Sequence, residues 1–194
     1  MRHTSEPDID EQLLRFGQNI RNARVRAGMS QDELGIDRAA ISFLERAERS
    51  PDLPTVVRVA HAVGVTPAAL LKGVGEDGSR VRGPRHEADP SIGPAARFGT
   101  NLRWGRLRAG FSQEGLALKA SVDRAAISVF EHGRRDPNLR TLLKLARAME
   151  IPPAILLNGV ESEANPPKSG GHRPAKRRAS PRSASPGARR GRQQ

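Results

Sequence analysis

The chain has 194 residues, a formal net charge of +12 and a pI near 11.5, a basic balance that favours a polyanionic partner, nucleic acid ahead of acidic membrane. It contains no Cys, which excludes disulfides and thiolate metal sites and fits a reducing cytoplasm. Aromatic residues make up 3% and Tyr is absent, so stacking platforms for single-stranded nucleic acid are hard to build and duplex DNA is the better-supported polyanion.

The amino terminus, Met1 to Asp10, is polar and acidic and lacks the apolar run of a signal peptide. No later stretch approaches about 18 uninterrupted apolar residues, so a soluble protein with no membrane partner is expected. Beyond it the sequence repeats itself. Phe16 to Leu34 matches Phe98 to Leu116, and Gly35 to Val74 matches Ser121 to Val160 after a gap. About half of the aligned pairs are identical, as duplication of one small domain would leave them. The boundaries that follow are a first, degenerate domain over 11–73, a linker over 74–94, a second domain over 95–160 and a tail over 161–194.

In the first copy the gap falls on the counterpart of Ala117-Leu118-Lys119-Ala120, about one helical turn. Its second helix is therefore expected to shrink to little more than Ser30 to Leu34, and normal docking on a partner is doubtful. Ala47 stands where the second copy has Gly133, and Glu48 where it has Arg134. The linker is rich in Gly, Pro and charge without an apolar period, which predicts a flexible tether.

The second copy reads as five short helices with no competing strand pattern. Helix one opens near Pro94 and carries Phe98, Leu102 and Leu107 before Gly110, a residue suited to the left-handed end of a helix. Gly105 lies on its inner face, where Trp104 is expected to refill the space. Helix two starts at the N-cap Ser112 and buries Leu116 and Ala117. After a turn at Ser121-Val122, helix three is capped by Asp123 and closed by Gly133. Helix four runs from about Asn138 through Leu142, Leu145, Ala146 and Met149, a buried-face spacing, and helix five starts at Pro153 with Ile155, Leu156 and Leu157. The tail carries nine cationic residues from Lys168 to Arg192 among Ser, Pro and Gly, a composition that predicts a disordered basic end.

Taken together, Arg106, Ser112, Gln113, Leu116, Ala117, Ile127, Glu131, Gly133, Pro137, Leu142, Ala146 and Leu156-Leu157 resemble the Cro/repressor-type, or XRE, helix-turn-helix family. The resemblance implies an all-α fold of two tandem five-helix domains and a sequence-specific transcriptional regulator, bacterial in type, cytoplasmic and nucleoid-associated. It implies that helix three enters the major groove, about 12 Å wide. Arg124, Ala125, Ser128 and Val129 are then expected to face bases, with Ala126, Ile127 and Phe130 inward. Arg124 can bond guanine O6 and N7 together, and Ala125 and Val129 can meet a thymine methyl. Ser112 and Gln113 at the start of helix two, and Arg134 and Arg135 after helix three, are expected against the phosphate backbone. The matching set in the first copy is Gln31, Arg38, Ala39 and Ser42. The resemblance further implies two structural ion pairs, Arg106 with Glu131 and Arg24 with Glu45.

An enzyme is not expected. The His residues are scattered without metal-ligand spacing, no nucleotide or nucleophile motif occurs, and no cofactor, metal or small-molecule sensor domain is indicated. The rival is an interaction module, antitoxin-like or binding a partner repressor, with only nonspecific DNA affinity. If both copies bind DNA, one chain can act as an intramolecular pseudo-dimer across half-sites about 34 Å apart; a homodimer is the other arrangement.

Overall fold

Side-chain caps set most of the helix starts, and those of the third and fourth helices recur in both repeats. The computed structural model describes residues 9–75, 81–84 and 91–160. In the first repeat these form α1 (Ile9–Arg26), a 3₁₀ turn (Asp32–Leu34), α2 (Arg38–Glu45), α3 (Leu53–Ala62) and α4 (Pro67–Leu70). In the second they form α5 (Pro94–Arg108), α6 (Gln113–Ala120), α7 (Arg124–Glu131), α8 (Leu139–Ala148) and α9 (Pro153–Leu156). The Asp37 carboxylate accepts the Ala40 N–H and Asp123 that of Ala125, while Asp52 and Asn138 cap α3 and α8 in the same way. Each cap supplies an acceptor to a backbone donor that the helix itself leaves unpaired.

The all-helical, tandem architecture read from the sequence is present, and helix two of the first repeat is reduced to the single 3₁₀ turn, ended by Gly35 at φ 64°. The basic tail and most of the linker lie outside the described residues. Val74, assigned to the linker, is instead packed in the core with 1% of its surface exposed.

One core expectation is corrected. Leu107 is 58% exposed: α5 buries Phe98, Leu102, Gly105 and Arg106, and a residue one step beyond Arg106 is turned about 100° off that stripe. The space beside Gly105 is approached from across the core, and Trp104 is partly buried against the same cluster. A Cβ there would lie 3.0 Å from Ile151 Cδ1 and 3.1 Å from Met149 Sδ, so the larger side chains of the last helical turns occupy it. The first repeat has Ala23 at that position with Val63 and Val65 opposite. Volume is thus exchanged across one contact, as close packing demands.

The repeats do not merely share a tether. α1 packs on α8 as α5 packs on α3, and α4 packs on α9. At the seam the Leu53 N–H donates to the Pro137 carbonyl at 3.0 Å and the Leu139 N–H to the Pro51 carbonyl at 2.7 Å, flanking an antiparallel bridge between Asp52 and Asn138. Exchanging the repeats turns the Leu53–Pro137 bond into the Leu139–Pro51 bond and leaves the Asp52–Asn138 bridge in place, as a two-fold rotation does and a translation does not.

Candidate nucleic-acid interface

The outward helix of each repeat is held by a buried charge at its carboxyl end. Arg106, on α5, donates from Nε to Glu131 Oε1 at 2.6 Å and from Nη2 to Oε2 at 3.0 Å. Its Nη1 reaches the Phe111 carbonyl at 2.9 Å, so one guanidinium fixes both the end of α7 and the turn into α6. Arg24 does the same with Glu45, at 2.7 and 3.1 Å, and with the Met29 carbonyl. Burial would raise the Glu131 carboxyl, but the bonds from Arg106 and Gln113 outweigh it and hold the group below its ordinary value. Glu45 is held down in the same way by Arg24 and Gln31.

Glycine brings the first helix of each repeat onto this end. A Cβ on Gly99 would collide with the Phe130 carbonyl oxygen, and one on Gly17 would lie 2.6 Å from that of Leu44. No larger residue fits without moving backbone. Phe98 meets Phe130 edge to face, 6.3 Å between centroids.

With its inner face fixed, α7 turns Arg124 and Ala125 to solvent and leaves Ser128 and Val129 half-buried, while Ile127 is wholly buried and Phe130 nearly so. Arg134 and Arg135 are exposed in the loop beyond the helix, past Gly133 at φ 64°. Ser112 caps α6, its Oγ accepting the Gly115 N–H at 2.9 Å. Gln113 is engaged internally: its Nε2 donates to Glu131 Oε2 at 2.8 Å, as Gln31 donates to Glu45 at 2.9 Å.

The first repeat presents the same start to its outward helix and a different surround. Arg38 and Ala39 are exposed on α2, but Arg38 lies 3.7 Å from the Asp32 carboxylate, whereas Arg124 has no ion-pair partner among the described residues. The Ser42 hydroxyl accepts from Arg46 Nη1 at 2.6 Å, and Arg46 also pairs with Glu48 at 2.5 Å. Where helix two would begin, the Glu33 carboxylate takes the Ser30 N–H at 2.7 Å, a bond that lowers its pKa.

Sequence reasoning missed two residues that hold the scaffold. Asn101 is fully buried and its Nδ2 donates to the Leu156 and Asn158 carbonyls at 3.1 and 2.9 Å. Asn19 binds the Leu70 and Lys72 carbonyls likewise, at 2.9 Å each. The available signal was an Asn kept at matching places in both repeats inside an apolar stripe, where a polar group needs a buried partner.

A helix-turn-helix family model matches residues 20–70 and 102–156, more than half of the chain. Among solved structures the chain is similar to the restriction-modification controller protein C.AhdI from Aeromonas hydrophila, with 40% identity and a TM-score of 0.31 over 32% of this chain and 94% of that one. No curated protein matches it. With each matched segment spanning an outward helix, its preceding turn and the Arg–Glu pair behind it, the chain belongs to the XRE-type helix-turn-helix family.

Proposed function

We propose that the protein is a sequence-specific, double-stranded-DNA-binding transcription regulator that reads the major groove with the third helix of each repeat, mainly α7. The observation that carries this reading is the division of α7 into a buried face at Ile127 and Phe130 and an outward face beginning at Arg124 and Ala125. An outward helix of eight residues on a rigid body can lie in a groove without deforming its scaffold. Arg124 supplies a bidentate contact to guanine, Ala125 and Val129 offer methyl-sized surface to thymine, and Ser128 adds a hydroxyl. Arg134 and Arg135 then act on phosphate and fix register. Ser112 and Gln113 stand at the start of α6, where backbone donors favour an anion; with its amide on Glu131, Gln113 orients the α6–α7 unit. In the cell such a regulator acts in the cytoplasm at the nucleoid.

Selection of the full chain against random duplex DNA tests the reading. Enrichment of a defined sequence is expected, and Arg124→Ala should cost about 1–3 kcal/mol on that sequence while relaxing preference at one base pair. Binding that is blind to sequence, unchanged by Arg124→Ala and indifferent to salt would instead favour a protein-interaction module.

A further inference from the structure

Sequence identity between the two outward helices is not uniform, and neither is their setting. α2 and α7 agree residue for residue from Arg38/Arg124 to Ser42/Ser128 and then diverge, with Phe43 in the first where the second has Val129. Phe43 is half-buried, and the guanidinium groups of Arg46 and Arg49 lie 5.5 and 5.0 Å from its ring centroid, contacts that hold an aromatic ring in place. The last turn of α2 is thus bulkier and more fixed than that of α7. Meanwhile the seam between the repeats obeys a two-fold relation: Leu53 with Pro137 and Leu139 with Pro51 exchange equivalent bonds. A flexible tether would leave the relative direction of the two outward helices open. A two-fold seam relates them by rotation, so a ligand that both read along a line across that axis is met in opposite senses.

We infer that a single chain recognises an inverted pair of unequal half-sites in duplex DNA, alike at the base pairs facing Arg38 and Arg124 and unlike at those facing Phe43 and Val129. This rests on the DNA-binding reading given above. The two-fold seam makes the pair inverted, because the rotation that carries α7 onto α2 must also carry one half-site onto the other. Shared residues at the start of both helices make the halves agree there. The exchange of Val for a pinned Phe makes them differ further along, since the side chain at that position decides which base edge or thymine methyl fits.

The same geometry ranks the two halves. In the first, Asp32 sits beside Arg38, Arg46 occupies the Ser42 hydroxyl, and Glu48 replaces a cation of the second repeat. Each of these weakens attraction to phosphate or engages a group that would otherwise be free to meet the DNA. The half-site under α7 therefore holds most of the affinity, and Arg124→Ala should weaken binding about tenfold or more, with a smaller loss from Arg38→Ala.

The test is selection of the full chain from a random duplex library long enough for two half-sites about 34 Å apart, repeated with Phe43→Val and with Val129→Phe, each first checked for a wild-type melting profile. Wild-type protein should enrich two inverted half-sites, one more strongly defined, with one chain bound per duplex. Phe43→Val should bring the weaker half to the sequence of the stronger, and Val129→Phe should bring the stronger to that of the weaker. Enrichment of a lone half-site or a direct repeat, two chains per duplex, or folded variants that leave the halves as unlike as before would each overturn the inference while leaving DNA recognition by α7 standing. If no sequence were enriched at all, the DNA-binding reading itself would fail with it.

Discussion

Arg106 and Glu131 lie side by side as a two-bonded pair whose side chains are 10% and 4% exposed. That burial decides which energetic regime applies. An exposed pair contributes little, whereas removing one member of a buried pair leaves the other charge without compensation. Arg106→Ala should therefore destabilise the fold by about 3 kcal/mol or more, and Arg24→Ala should act in the same direction through Glu45. Urea unfolding checks both; losses below about 1 kcal/mol would place these pairs in the exposed class.

The same carboxylates set an acid limit. Because Glu131 and Glu45 are held below their ordinary value in the fold, their contribution is fully present above the unfolded-state value, about 4.3, and is lost as pH falls through the lower folded values. A melting series in acid should show stability falling in that window, with a shallower fall in Glu131→Gln. An equal slope in the variant would assign the acid loss to other groups.

Asp136 should behave in the opposite sense. Burial and the nearby Asp52 carboxylate raise its pKa, so the ionised form is disfavoured in the fold and stability decreases as pH rises through that raised value. Asp136→Asn is expected to raise the melting temperature at neutral pH, with the gain disappearing below the ordinary Asp range. A gain that persisted in acid would count against a charge effect at the seam.

Ala47 and Gly133 share one backbone conformation and differ in whether a Cβ must adopt it. Both adopt positive φ, 58° and 64°, a left-handed conformation that costs a residue with a Cβ about 1–2 kcal/mol. Ala47→Gly should stabilise the protein by about 0.5–1 kcal/mol once the greater freedom of unfolded Gly is subtracted. Gly133→Ala should be the more costly change, because its Cβ would also lie 2.7 Å from Ala96 Cα. Chemical denaturation of the two variants decides whether the signs differ.

Salt dependence can assign the phosphate contacts. If Arg134 and Arg135 each neutralise one phosphate, replacing either by Ala should reduce the slope of log affinity against log salt by about 0.9. Glu48→Arg should move the slope the other way by giving the first repeat the cation it lacks. Slopes unmoved by Arg134→Ala and Arg135→Ala would remove that loop from the interface.

Much of this molecule is legible in the chain itself. Ser112, Asp123 and Asn138 announced helix starts, and the apolar spacing from Leu142 to Met149 announced a buried face, because caps and helical periodicity are local properties of the chain. The missing turn in the first repeat was equally plain, since the two copies calibrate one another. Leu107 was misread because being apolar does not oblige a residue to face inward. Asn19 and Asn101 escaped notice because their partners, carbonyls at the far end of each repeat, are more than fifty residues away in sequence.

The helices and the outward residues Arg124 and Ala125 follow from neighbours within a few turns, and the duplication from comparing the chain with itself. Only packing set the bond from Gln113 to Glu131, the side chains beside Gly105 and, above all, the two-fold seam at Pro51 to Leu53 and Pro137 to Leu139. Those outcomes depend on which surfaces touch after folding, and contacts between distant segments are set by the packing of whole helices, which no local pattern encodes.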